Sequence, residues 1–203
     1  MDDRWKGVRL VAITQYDTMK KIILASNSPR RKELLAGLGV DFEVRVKKGI
    51  DESYPADMPV AEVAEYISRK KASAYDVADD EILLTADTIV VLGDTVLGKP
   101  KDAADAAKML HALSGNTHQV ITGCCIRTAE TEKHFSVTTD VTFRKLTDGE
   151  INTYIERYKP FDKAGSYGIQ EWIGYIGVTS INGSYFNVMG LPVQRIYDTL
   201  QSL

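Results

Sequence analysis

Cysteine is nearly absent: the 203 residues hold only two, and they are adjacent, Cys124 and Cys125. Neighbouring thiols cannot staple distant segments, so a disulfide framework is excluded and a reducing, cytoplasmic setting is expected. Histidine is scarce as well. His111, His118 and His134 lack zinc-ligand spacing and are expected on the surface or in structural roles. No apolar run approaches the ~18 residues of a membrane span, and residues 1–18 lack the ~7–15-residue apolar core of a signal peptide. Excess positive charge is missing too. A net charge of −3 argues against a broad nucleic-acid-binding face, so an anionic ligand would need a local basic cluster. Neither G-x-S-x-G nor G-x-G-x-x-G occurs, which removes the nucleophile-elbow and dinucleotide-fingerprint readings.

What remains is an ordinary globular composition, 44% hydrophobic and 26% charged, with enough chain to bury a core unaided. Met19-Lys20-Lys21-Ile22 reads as a start. Residues 1–19 are therefore expected to be an N-terminal extension, either an extra strand over residues 8–13 or an appended segment. Residues 20–203 are expected to form a single domain.

Lys21-Ile22-Ile23-Leu24-Ala25 is a short apolar run, expected to be a buried strand. Ser28 then Pro29 reads as an N-cap with proline in the first turn, followed by Leu34, Leu35 and Leu38 on one face and a stop near Gly39. Residues 41–46 alternate like a strand. A second helix is expected from Pro59, with Val60, Val63, Ala64, Ile67, Ala74 and Ala78 on one stripe. Residues 82–92 form the second strong strand, closing in a Gly93-Asp94 turn. Asp102 caps a helix carrying Ala106, Met109, Leu110 and Leu113. Residues 119–127 and 135–144 read as a strand pair, and Thr147-Asp148-Gly149-Glu150 as a capping box. A glycine-bearing loop over 161–171, a strand over 175–181 and a helix over 192–200 complete the chain. This is an α/β pattern: a mixed sheet flanked by helices.

Three places could carry chemistry. Ser26-Asn27-Ser28-Pro29-Arg30-Arg31 lies between a buried strand and a helix start, where free N–H groups and two guanidinium groups can grip phosphate. The same residues read equally as a capped helix with two solvated arginines. Lys71 falls inside the apolar stripe four residues after Ile67, so it must snorkel, pair with an acid or face a cleft. Asp87 interrupts an apolar strand. A carboxylate there needs a metal, a base or strong hydrogen-bond donors. Gly93-Asp94-Thr95-Val96-Leu97-Gly98-Lys99-Pro100 imitates a phosphate-binding loop, but proline stands where Ser or Thr would hold magnesium. Lys99 is kept as a phosphate contact only. Any metal would be oxygen-ligated, which favours Mg²⁺ or Mn²⁺. Asp51 and Glu52 are acids near a turn that read, alone, as a solvated pair.

Taken in order, several blocks resemble the Maf family. They are Leu24-Ala25-Ser26-Asn27-Ser28-Pro29-Arg30-Arg31, Ala86-Asp87-Thr88-Ile89-Val90, Leu97-Gly98-Lys99-Pro100, Leu113-Ser114-Gly115-Asn116-Thr117-His118, Asp162-Lys163-Ala164-Gly165-Ser166-Tyr167-Gly168-Ile169-Gln170 and Ile181-Asn182-Gly183-Ser184-Tyr185. The resemblance implies hydrolysis of nucleoside triphosphates to monophosphate and pyrophosphate. It also implies two lobes around a central cleft and a homodimer. The Asp162 to Gln170 block is similar to the branch acting on dTTP and UTP, with modified pyrimidine nucleotides as further candidates; a sister branch prefers 7-methyl-GTP. By this resemblance Asp87 is the general base, and Arg30, Thr88 and Gln170 govern substrate choice. Ser26, Arg31, Lys71 and Lys99 line the same site, and Glu52 with Asp87 holds a Mg²⁺ or Mn²⁺ ion. Asn27 and Glu171-Trp172-Ile173 depart from the family pattern, which commonly has a small residue such as glycine at the first position and often glycine right after Gln170. Two rivals stand beside this reading: a protein-binding regulator of septum formation, and a nucleotidyltransferase.

Overall fold

One long strand organises the chain. The computed structural model describes residues 20–203, so the expected strand over 8–13 lies outside the described residues. Seven strands form a single sheet: β1 (Lys21–Leu24), β2 (Phe42–Val44), β3 (Glu81–Leu92), β4 (Thr95–Leu97), β5 (Thr117–Arg127), β6 (Glu132–Phe143) and β7 (Val178–Asn182). Their order is β2-β1-β3-β5-β6-β7, with β4 folded back on the far half of β3. β1 runs parallel to both β2 and β3, while β5, β6 and β7 add on antiparallel. The sheet is mixed, as the sequence pattern indicates. Seven helices flank it: α1 (Pro29–Ala36), α2 (Val60–Ser73), α3 (Ala103–Leu113), α4 (Asp148–Tyr158), α5 (Trp172–Gly177), α6 (Tyr185–Met189) and α7 (Val193–Gln201). None is long and apolar enough to cross a membrane.

Side chains of a strand alternate between faces. On β3, Ile82, Leu84, Ala86 and Val90 join Leu34 and Leu35 of α1, Leu110 of α3, Tyr154 of α4 and Ile196 of α7 in the main core. Leu83, Ile89 and Val91 turn to the other face and meet Val63, Ala64, Ile67 and Ala72 of α2. Between Ile82 and Val91, burial along β3 is broken only at Asp87 and Thr88, which are half-buried. β1 explains this opening. Its last register pair is Leu24 with Leu84, so β3 runs on past the end of its parallel neighbour. A crevice beyond the carboxyl end of a parallel strand is a usual ligand site in α/β sheets.

Local chemistry sets the element ends. Ser28 caps α1 by accepting the Arg31 N–H at 3.4 Å, with Pro29 in the first turn. Asp102 accepts the Asp105 N–H at 2.8 Å to cap α3, and Thr147 with Glu150 forms the expected capping box on α4. Gly93 and Asp94 make the hairpin turn between β3 and β4, so the P-loop imitation is a strand end. Two expectations shift, and one short helix goes unread. α2 ends at Ser73, leaving Ala78 off the stripe. The expected strand over 175–181 is instead the end of α5 followed by β7. α6, capped by Ser184, had no readable period because five residues do not complete two turns.

α2 sits unusually close to the sheet because of one glycine. Gly123 on β5 is the cross-strand partner of Asp87. A Cβ built there would lie 2.2 Å from the backbone nitrogen of Glu65 and 2.3 Å from the carbonyl carbon of Ala64. Only glycine lets the helix backbone settle on the strand at that point, and this close seat carries the C-terminal half of α2 over Asp87.

Candidate active site

A cavity of about 710 Å³ opens where β3 outruns β1. Its wall includes every site residue expected from the sequence: Ser26, Arg30 and Arg31 from the β1–α1 turn, Glu52 from the loop before α2, and Lys71 from α2 itself. Asp87 and Thr88 come from β3, Lys99 from the segment after β4, and Gln170 from the loop before α5. Asp51 does not line it; its carboxylate turns outward to Lys70 at 2.7 Å.

The centre is an ion triad. Lys71 Nζ donates to Asp87 Oδ1 at 2.6 Å and lies 3.1 Å from Glu52 Oε1. The lysine inferred from periodicity therefore points inward and pairs with the interior acid. Its side chain is 15% exposed and that of Asp87 13%, dry enough for the pair to be held firmly yet reachable from the cavity. The second Asp87 oxygen, Oδ2, has no hydrogen bond among the described residues.

Thr88 points to the opposite face. Its hydroxyl meets Thr122 Oγ1 at 3.0 Å and accepts from Arg31 Nη2 at 3.0 Å. Arg31 is the donor in that second contact. It lines the cavity, but each guanidinium nitrogen donates to protein: Nε to Gly190 O at 2.8 Å, Nη1 to Ala86 O at 2.8 Å, and Nη2 to Thr88. Its main duty is to fasten β3, on both sides of Asp87, to the turn after α6. That turn is itself pinned, since Asn187 donates to Val120 O and Thr139 Oγ1 at 3.0 Å each. Ser26, buried, accepts the Ser28 N–H at 3.2 Å. Arg30 pairs with Asp162 at 3.1 Å. Lys99 is exposed and makes no ion pair among the described residues. Gln170 Oε1 is buried and has no hydrogen-bond partner among the described residues.

Reasoning from residue types alone missed the supports: Asp162, Lys163, Tyr167 and Gly190 all line the cavity. They lie in loops without periodicity, and only Gly190, at φ +112° after a short helix, carried any local signal. Cys124 and Cys125 are buried, and burial pushes both thiols up to about 12, which removes them as nucleophiles.

A family model for Maf-like proteins matches residues 21–203. The chain is 61% identical over 183 residues to a dTTP/UTP pyrophosphatase of Parabacteroides distasonis, covering 89% of this chain and 95% of that protein. It is 57% identical over 185 residues to one of Bacteroides thetaiotaomicron, covering 90% and 96%. A third, from Porphyromonas gingivalis, is 51% identical over 191 residues, covering 91% and 96%. This chain belongs to the Maf family.

Within this Maf chain the cavity also rests on a buried histidine. His118 is 1% exposed, shares a hydrogen bond of 2.7 Å between Nε2 and the Tyr167 hydroxyl, and packs edge-on against Phe143. Burial lowers its pKa from the ordinary 6.5 to about 4. Between those values the unfolded chain binds a proton that the folded chain refuses. Stability is therefore full above about pH 6.5 and falls as pH drops towards 4. At about 1.4 kcal/mol per unit the loss is on the order of 3 kcal/mol. Thermal melts from pH 7 to 4.5 should show it, and His118→Gln should flatten that part of the curve. An unchanged slope in the variant would assign the acid sensitivity elsewhere.

Proposed function

We propose that this chain hydrolyses UTP and dTTP to nucleoside monophosphate and pyrophosphate, with Asp87 as the general base. The observation that carries the reading is the half-buried Asp87–Lys71 pair opening into a cavity ringed by cationic groups. The names borne by the Parabacteroides and Bacteroides relatives support the substrate.

The triphosphate lies along the α1 start, between Arg30 on one side and Lys71 and Lys99 on the other. Ser26 and the Arg30 N–H, which has no acceptor among the described residues while the Arg31 and Lys32 N–H groups are taken up by Ser28, contribute donors. A water is held against Asp87 Oδ2. Its oxygen forms the new bond to the α-phosphorus, and the bond from that phosphorus to the bridging oxygen breaks with its electron pair leaving on pyrophosphate. The water's proton passes to Asp87. Lys71 holds the carboxylate by its Oδ1 and so aims Oδ2 at the cavity, and Arg31 fixes the strand that carries it.

A divalent ion fits this donor set. Two carboxylates, Glu52 and Asp87, already converge on one cation, the Lys71 ammonium. Among the described residues there is no cluster of three or more metal-ligating side chains, so phosphate oxygens and water would complete the shell, a common arrangement for Mg²⁺. When bound, Mg²⁺ or Mn²⁺ neutralises phosphate charge and makes a nearby water more acidic.

Gln170 gives the base preference. Its unpartnered Oε1 suits the N3–H of uracil or thymine, and its amide N–H suits the adjacent O4; cytosine presents the reverse pattern at those two atoms. Thr88, on the cavity wall beside Asp87, completes with Arg30 and Gln170 the set that governs substrate choice. We read residues 20–203 as one catalytic unit whose two lobes meet at this cavity, with the cytoplasmic homodimer that the family resemblance implies.

A panel of nucleoside triphosphates with Mg²⁺ or Mn²⁺ and water as the only acceptor tests this. Pyrophosphate should appear from UTP and dTTP, and at least tenfold more slowly from CTP, roughly the scale for a buried polar group left unpaired. Release of single phosphate, or none, overturns the proposal.

A further inference from the structure

Gln170 stands on a wall, residues 162–170, that is neither strand nor regular helix apart from the short 3-10 turn Ala164–Ser166. What holds it is a chain of polar contacts centred on Glu171. The Glu171 carboxylate lies 3.2 Å from Lys163 Nζ through one oxygen and accepts the Tyr154 phenol O–H through the other. Tyr154 in turn accepts the Gly168 N–H at 3.0 Å. Lys163 donates on to Asp162 at 2.7 Å, and Asp162 reaches Arg30 at 3.1 Å. The chain therefore starts two residues from Gln170 and ends at the α1 cation on the phosphate side.

Three features make Glu171 the hub and not a bystander. It occupies the N-cap position of α5, yet its side chain makes no capping bond, so it is committed to the wall. It is mostly shielded, at 19% exposure, with Lys163 at 9% and Tyr154 fully buried. Gly168 is shaped around it: a Cβ there would lie 2.9 Å from Glu171 Cδ.

We infer that Glu171 is a positioning residue that sets nucleobase selectivity: by tying Tyr154 and Lys163 together it fixes the wall from which Gln170 reads the pyrimidine edge and braces Arg30 through Asp162. The inference rests on the proposed pyrophosphatase reading of the same cavity. Glu171 touches no reacting atom, so its loss acts on binding. Burial and the neighbouring carboxylate both push the Tyr154 hydroxyl above its ordinary range, which keeps it a donor to Glu171.

The test compares wild type with Glu171→Gly, Glu171→Gln and Tyr154→Phe. Glu171→Gly should raise KM for UTP about tenfold, the scale of one lost charge-assisted hydrogen bond. It should leave kcat within about threefold and narrow the UTP-to-CTP ratio of kcat/KM by about the same tenfold factor. Glu171→Gln, which keeps an acceptor for Tyr154, should lie between. If Glu171→Gly does not fold, the other two must each raise KM in the same direction. Amide exchange over residues 162–171, which needs no activity, should be faster in every variant that raises KM. Unchanged KM and selectivity in an active series overturn the inference, as does a fall confined to kcat. A wild type that releases no pyrophosphate overturns the functional reading instead, while the exchange data still judge the tether.

Discussion

Asp87→Asn should cut pyrophosphate release from UTP by about 10²–10⁴-fold, the usual worth of general-base help. The change is nearly isosteric. The amide oxygen can still accept from Lys71, and Glu52 remains 3.1 Å from that ammonium, so the lysine is not left without an acid. The fold should persist, with a cooperative melt. What disappears is the oxygen able to take a proton from water. UTP binding measured without turnover should change far less than kcat. A well-folded Asp87→Asn protein with near-normal turnover would remove Asp87 from the chemistry, and the base would have to be sought at Glu52.

Gly123→Ala should be the most damaging single methyl group that can be added beside the site. The new carbon would fall 2.2 Å from a backbone nitrogen of α2, and a backbone cannot rotate away as a side chain can. Either α2 lifts or β5 bows. Overpacking of this kind costs ~1–3 kcal/mol and occasionally more, and the upper end is expected here. For a chain of this size that corresponds to a fall in Tm of roughly 6–12 °C. Activity should fall with it even below the melting temperature, because Lys71 rides on the helix that is displaced. Differential scanning calorimetry with kcat measured at 20 °C separates the two effects. A Tm within about 1 °C of wild type would contradict the close helix seat.

The contrast between these two positions shows what a sequence reveals. Asp87 was legible because an acid inside an apolar strand violates burial, and Lys71 because it breaks a helical stripe. Ser28 and Pro29 announced α1 through capping chemistry, and Thr147 with Glu150 announced α4. Gly123 was silent. Its role depends on a helix some sixty residues earlier crossing above it, and no local pattern encodes that crossing. Arg31 was legible as a cation but not as a brace, since its acceptors are the carbonyls of Ala86 and Gly190 and the hydroxyl of Thr88. α5 and α6 were missed because each is too short to repeat its own period. The loop over 161–171 gave its glycines away but not the carboxylate that holds it.

β3 has parity. Asp87 and Thr88 are neighbours in the chain but belong to different sides of the sheet, one tied to α2 by Lys71 and the other to α1 by Arg31. Counting from Leu84, which is locked beside Leu24, an odd-numbered insertion or deletion before Asp87 would swap the two, giving the carboxylate to the arginine and the hydroxyl to the lysine. An even-numbered one would restore the sides but carry both residues about 6.6 Å along the strand per pair added or removed. The stretch from Leu84 to Thr88 can thus change its residues far more easily than its length, and natural variation there should consist of substitutions without gaps.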